Sequence, residues 1–92
     1  MIKKTTIKDV KLDLGKLIKS YRKGRNLSQQ ELADHLSVSR ITIQNLEGGK
    51  NCTLDTLLKV LQEFELLGSL NKEIAHYQDD LDVSKSLNYV SK

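Results

Sequence analysis

The sequence predicts an all-α domain of four to five helices, and three observations support this fold class. Apolar residues recur at helical spacing over most of residues 14–81. Proline is absent, so no helix interior contains a residue that lacks a backbone N–H. Serine and threonine residues precede several of the apolar repeats, where a side-chain hydroxyl can cap a helix, as that of Thr53 can at the start of the fourth helix. A chain of 92 residues can enclose only a modest core, so we expect one domain that gains from pairing.

The clearest pattern lies in residues 27–50, which read as two short helices joined by a tight corner. Ser28 and Glu31 have the spacing of a capping box, in which each side chain accepts a hydrogen bond from the other residue's backbone N–H. Ser39 is placed to cap the second helix. Gly48–Gly49 then ends it, because glycine adopts the left-handed backbone of a helix C-terminus at little cost.

The second of these helices has an outward face with the chemistry that reads DNA bases. Ile41 lies about 200° from Ile43 on a helix of 3.6 residues per turn, so Ile41 faces outward when Ile43 faces the core. Arginine binds guanine, asparagine binds adenine, and an apolar group contacts the thymine methyl. The predicted base-reading residues are Arg40, Ile41, Thr42 and Asn45, with Ser39 at the helix start close to base or phosphate.

Residues 27–50 resemble the helix-turn-helix of the Cro/CI repressor (XRE) family. The matching residues are Gln29, Ala33, Ile43 and the closing Leu46–Lys50. The resemblance extends from about residue 14 to residue 67 and implies a lambda-repressor-like DNA-binding domain. One position departs from the family pattern.

Ser37 stands where the family usually has glycine. A residue other than glycine in a left-handed corner costs of order 1 kcal/mol, which the core can absorb. We therefore expect the departure to lower stability slightly and to leave the fold unchanged.

Further residues are predicted to contact the DNA backbone or to support the fold. Gln29 opens the first helix of the pair, and helix N-termini bind phosphate groups. The resemblance implies that Lys50 and Asn51 approach the DNA backbone as well. It also implies that Arg22 pairs with Glu47, although either side chain could equally be solvated.

The resemblance has a narrower form in residues 51–62, which are similar to the fourth-helix segment of HipB-like antitoxins. It implies a repressor of its own operon that binds a HipA-like kinase toxin. A phage-type or stand-alone XRE regulator and a protein-interaction module without DNA binding are the alternatives. Nine Lys and Arg residues against two Asp residues in residues 1–25 favour a double-stranded DNA operator as the partner.

The chain divides into four predicted segments. Residues 1–11 are expected to form a partly disordered N-terminal arm, and residues 12–68 the helix-turn-helix domain, with Asp13 as the first N-cap. Residues 69–81 are expected to form a C-terminal helix, and residues 82–92 a flexible tail.

A homodimer is predicted from the apolar residues near and beyond Gly68. Leu67, Leu70, Ile74, Tyr77 and Leu81 are spaced three and four residues apart, which is the pattern of a short heptad seam. The predicted pairing residues are Phe64, Leu67, Leu70, Ile74 and Tyr77. The alternative is a fifth helix that packs on its own domain.

Other classes of protein are disfavoured by composition. Cys52 is the single cysteine and the two histidines are far apart, so neither a disulfide framework nor a metal site is expected. No catalytic set or phosphate-binding glycine loop is present, so we expect no enzyme and no cofactor. The chain has neither a signal peptide nor an apolar run long enough for a membrane span, which predicts a soluble, cytoplasmic protein.

Overall fold

The computed structural model describes residues 5–91, and the side chains of residues 5–82. Five α-helices follow one another in the order α1 (Ile7–Gly24), α2 (Gln29–Leu36), α3 (Arg40–Glu47), α4 (Leu54–Glu63) and α5 (Leu67–Ser91). No strand occurs in this part of the chain. The predicted all-α, lambda-repressor-like fold is confirmed.

Side-chain caps set the starts of the three middle helices. At α2, Ser28 Oγ accepts from the Glu31 backbone N–H at 3.0 Å, and the Glu31 carboxylate accepts from the Ser28 N–H at 2.8 Å. Ser39 caps α3 by accepting from the Thr42 N–H at 3.2 Å. Thr53 caps α4 in the same way. These caps satisfy backbone donors that have no partner inside the helix, and they confirm the predicted helix starts.

The corner between α2 and α3 has the predicted left-handed backbone. Ser37 has φ 56° and ψ 43°, which is the conformation that favours glycine. Two further corners, at Asn26 (φ 57°) and Glu65 (φ 61°), also turn through this region. The sequence did not indicate Glu65, because glutamate is not a usual residue for a left-handed turn.

Helix α1 begins earlier than the sequence predicted. The proposed N-cap at Asp13 is wrong, because Thr6 and Asp9 form a capping box that starts α1 at Ile7. Residues 7–11 of the expected arm are therefore helical. The box satisfies the first backbone donors of α1 nearly two turns before Asp13, so Asp13 lies inside the helix.

Helix α5 is longer than the sequence predicted. It begins at Leu67, and its backbone is helical as far as Ser91, so the helix includes residues 82–91 of the expected flexible tail. Extending an existing helix by one residue costs much less than starting a new one, so this segment needs no cap of its own. No helix of residues 5–91 has the length and apolar character needed to cross a membrane.

The core lies where α1, α2, α3 and α4 meet. Its largest fully buried side chains are Ile18, Leu32, Ile43 and Val60. Gly15 in the middle of α1 allows a close approach to the end of α3, since a Cβ atom there would lie 2.5 Å from the carbonyl oxygen of Glu47. The end of α3 is therefore packed directly against α1.

Phe64 belongs to this core. Its side chain is only 2% exposed, and its ring centroid lies 5.6 Å from that of Tyr21. The prediction that Phe64 joins two copies is wrong, because a side chain already buried within one molecule offers no surface to a second. Leu67 is half-buried against the same core, whereas Leu70, Ile74 and Tyr77 are exposed.

Candidate nucleic-acid interface

Helix α3 presents one buried and one exposed face, as its spacing predicts. Ile43 is completely buried and Ile41 is 61% exposed. Arg40 is exposed beside Ile41, and Asn45 is half-buried one turn further along. The outward surface of α3 therefore has an apolar side chain flanked by a guanidinium and an amide.

Thr42 lies at the edge of this face rather than on it. Its side chain is half-buried, and its hydroxyl oxygen lies 2.8 Å from Ser39 Oγ, so that the two hydroxyl groups share a hydrogen bond. Ser39 and Thr42 together close the first turn of α3.

Gln44 is an exposed member of the face that sequence reasoning missed. It follows Ile41 by three residues, so the two side chains are neighbours on the helix surface. A glutamine amide can donate to and accept from adenine as an asparagine amide does. The i, i+3 relation to Ile41 was the signal that could have identified it.

A buried ion pair fixes the end of α3 to α1. Arg22 Nε lies 2.6 Å from Glu47 Oε2 and Arg22 Nη2 lies 3.0 Å from Glu47 Oε1, a two-pronged contact. The same guanidinium donates to the backbone carbonyl of Leu27 at 2.8 Å. The pKa of Arg22 is raised because its hydrogen bond to the Glu47 carboxylate outweighs the opposing effect of burial. The structure thus brings together the pair that the resemblance implied.

Gln29 joins the same cluster. Its Nε2 donates to Glu47 Oε1 at 3.1 Å, and its side chain is half-buried. One of its two amide hydrogens is therefore used to hold α2 against the end of α3. The other hydrogen remains for the phosphate contact predicted from the sequence.

Lys50 and Asn51 are both exposed in the loop after α3. The ammonium group of Lys11 in α1 donates to Asn51 Oδ1, a contact that the sequence did not predict. This contact occupies the acceptor oxygen of the amide and leaves its NH₂ group as the free donor. The NH₂ group of Asn51 is the group that would donate in a contact to a phosphate oxygen.

Helices α2 and α3 are both capped and are joined by a left-handed corner, and α3 has an outward face of mainly polar residues. These features define a helix-turn-helix protein. Residues 15–76, more than half of the chain, match the family model described as a helix-turn-helix domain, and the chain belongs to that family. The match covers the second half of α1, all of α2, α3 and α4, and the first part of α5. A search of curated proteins finds no match.

Family membership makes this a DNA-binding protein of the kind that regulates transcription. The family is typically non-enzymatic. Within residues 5–82, no three His, Cys, Asp or Glu side chains are grouped so that they could hold a metal ion.

Proposed function

We propose that this protein is a sequence-specific transcriptional repressor that binds its operator as a homodimer in the cytoplasm. The observation that carries the proposal is the outward face of α3, where an isoleucine is 61% exposed among polar side chains. Exposing a large apolar group has a cost in water, and a contact with a thymine methyl would recover it. The capped start of α3 suits insertion of its first turn into the major groove.

Each side chain of this face has a proposed role. Arg40 contacts a guanine edge, Ile41 contacts a thymine methyl, and Asn45 contacts adenine. Gln44 joins them because it is exposed next to Ile41. Thr42 and Ser39 contribute hydroxyl groups at the helix start, close to base or phosphate.

The DNA backbone would be held on both sides of α3. Gln29 and the amide end of α2 contact phosphate at one side, as helix N-termini do for anions. Lys50 and Asn51 contact phosphate at the other, where the Asn51 oxygen accepts from Lys11 and its NH₂ group would donate to phosphate. Such contacts fix the orientation of α3 without selecting a sequence.

The proposed dimer forms through α5. Its apolar residues Leu70, Ile74, Tyr77 and Leu81 are 36%, 56%, 64% and 57% exposed. Leu67, Leu70 and Ile74 also line an apolar groove of about 440 Å³ against Leu58 of α4. A second copy related by a two-fold axis would cover this surface and place two α3 helices in successive major grooves, about 34–36 Å apart.

The proposal is tested by selection from a pool of random duplexes, followed by binding to the enriched site. We expect a two-fold symmetric site whose half-sites are centred about one helical turn apart. Arg40→Ala should lose about 1–3 kcal/mol on that site and relax the preference at one base position, with little loss on random duplex. Lys50→Ala is the control, because a phosphate contact weakens all sequences alike.

Absence of any enriched sequence would overturn the proposal and favour a protein-interaction module. Equal losses on specific and random duplex for Arg40→Ala would remove only Arg40 from the base-reading residues. The two outcomes are separated by whether the wild-type protein selects a site.

The narrower proposal is an antitoxin that represses its own operon and binds a HipA-like kinase toxin. It is supported by the resemblance of residues 51–62 alone. A kinase-like reading frame beside this gene, with a product that co-purifies with this protein, would support it. A gene without such a neighbour favours a stand-alone or phage-type regulator.

A further inference from the structure

The first two turns of α1 lie beside the loop that follows α3. Leu12 packs directly on Gly49, since a Cβ atom on Gly49 would lie 2.8 Å from Leu12 Cδ2 and 3.2 Å from Leu12 Cα. Gly49 has φ 74°, so glycine is required there for its backbone as well as for its size. One residue before Leu12, Lys11 donates to Asn51. The start of α1 and this loop therefore form one surface.

Two lysines of α1 border that surface. Lys11 is half-buried against the loop, and Lys8 is exposed. Lys8 precedes Leu12 by four residues, so it lies on the same side of α1 as the contact with Gly49. Lys50 adds a third ammonium group from the loop itself.

The three ammonium groups have no carboxylate partner in the described structure. None of the ion pairs formed within residues 5–82 involves Lys8, Lys11 or Lys50. In contrast, Arg22 and Lys59 each pair with an acidic residue of the same molecule. The cluster of Lys8, Lys11 and Lys50, which we call the lysine edge, thus keeps its charge available for an external anion.

The opposite side of α1 has different chemistry. Val10 is two residues from Leu12 and so lies about 200° away around the helix. It is 51% exposed, and Leu17 is exposed as well. The charges of Lys8 and Lys11 therefore lie toward the loop that follows α3, and the side of α1 away from this loop has exposed apolar residues.

From this geometry we infer that Lys8 and Lys11 extend the proposed phosphate contact of Lys50, so that through the lysine edge α1 binds phosphates of the DNA that flanks each half-site. The inference rests on the proposed DNA-binding function. Residues 49–51 closely follow the end of α3, the proposed recognition helix, so the lysine edge lies at the C-terminal end of that helix. Because the start of a recognition helix reads the bases, phosphates beyond those base pairs are the anions within reach of its far end. The contact would lengthen the footprint without adding sequence preference.

The experiment compares Lys8→Gln/Lys11→Gln with Lys59→Gln/Lys72→Gln, which removes the same charge from α4 and α5. Binding of the full chain is measured over a range of salt concentrations on the selected site. We expect the first variant to reduce the slope of log affinity against log salt by about two, since each substitution removes one ammonium–phosphate pair. The control variant should keep the wild-type slope, and thermal unfolding should show that both variants remain folded.

A shortened duplex adds a second measurement. On DNA trimmed to the base pairs that α3 reads, Lys8→Gln alone, which leaves the contact between Lys11 and Asn51 in place, should bind as the wild-type protein does, because the flanking phosphates are gone. A wild-type slope for Lys8→Gln/Lys11→Gln on the selected site, or an equal reduction in the control, would overturn the inference. Failure of the wild-type protein to bind any duplex would instead overturn the proposed function.

Discussion

Ser37 shows at the scale of one residue how the chain tolerates strain in the corner of the helix-turn-helix. Its left-handed backbone is disfavoured for any residue with a Cβ atom. The Ser37 N–H still donates to the carbonyl of Asp34 at 3.3 Å, and the Val38 N–H donates to Ala33 at 3.0 Å, so the corner remains hydrogen-bonded. The fold therefore keeps its turn at a small cost in stability.

We expect Ser37→Gly to stabilise the fold by up to about 1 kcal/mol, because glycine adopts this backbone without strain. Thermal and urea unfolding measure the change. Ser20→Gly is the control, since it places glycine in the interior of α1 and should destabilise. A lower melting temperature for Ser37→Gly would contradict the strain argument.

Glu31 gives the α2 cap a dependence on pH. The pKa of its carboxyl group is lowered because the carboxylate accepts a hydrogen bond from the Ser28 backbone N–H. A group whose pKa is lower in the folded state adds stability above its unfolded pKa, near 4.5. That contribution is lost as the pH falls through the lowered pKa that Glu31 has in the folded state.

Glu31→Gln is the test, because glutamine keeps an acceptor for the Ser28 N–H and does not titrate. The wild-type protein should lose stability relative to this variant as the solution is acidified below pH 4.5. Urea unfolding at a series of pH values measures the difference. A difference that stays constant from pH 7 to strongly acidic solution would show that the cap does not couple to protonation.

At the scale of helices, the contact of α1 with α3 depends on the absence of a side chain at Gly15. Alanine is favoured over glycine inside a helix by about 1 kcal/mol, so propensity alone predicts that Gly15→Ala stabilises. The structure predicts the reverse, because the new methyl group would lie 2.5 Å from the carbonyl oxygen of Glu47 and 2.7 Å from that of Leu46. Neither backbone oxygen can move without shifting α3.

We therefore expect Gly15→Ala to lower the melting temperature and to weaken DNA binding, since α3, the proposed recognition helix, would be displaced. Gly24→Ala is the matched control on the same helix, because no atom lies within 4 Å of a Cβ built there. It should be neutral or stabilising. Stabilisation by Gly15→Ala equal to that by Gly24→Ala would contradict the close packing of the two helices.

At the scale of the whole molecule, the exposed apolar residues of α5 bear on whether the protein is a monomer or a dimer that pairs through α5. Of the more extensive contacts between helices in residues 5–91, α5 takes part in one, which is its contact with α4. A patch of large exposed apolar side chains on a small protein commonly marks a partner surface. Leu70 and Ile74 lie at its centre and line the groove against α4.

Leu70→Asp/Ile74→Asp should convert the proposed dimer into a folded monomer, because two buried, unpaired carboxylates would oppose pairing. Sedimentation at micromolar concentration measures the assembly, and circular dichroism measures the fold. Lys72→Asp/His76→Asp is the control, since these positions lie on the opposite side of α5 from Ile74. A folded double variant that still sediments as a dimer would place the pairing surface elsewhere.

The features that the sequence predicted correctly are local. The caps at Ser28, Ser39 and Thr53 depend on residues three positions apart, and the outward position of Ile41 depends on helical spacing from Ile43. The left-handed corner at Ser37 followed from the same short segment and its resemblance to a known family. Gln44 was missed, although its position three residues after Ile41 gives the same kind of spacing signal.

Tertiary structure decided what depends on residues distant in the chain. The sequence by itself determined an all-α chain, the positions of α2, α3 and α4, and the chemistry of the α3 surface, since these follow from side chains within about two turns of one another. Only packing placed Phe64 in the core rather than at a pairing surface, and only packing put Lys11 against Asn51, 40 residues away. Helical spacing specifies which side chains share a face, whereas the partner of that face is chosen by volume and charge in the folded molecule.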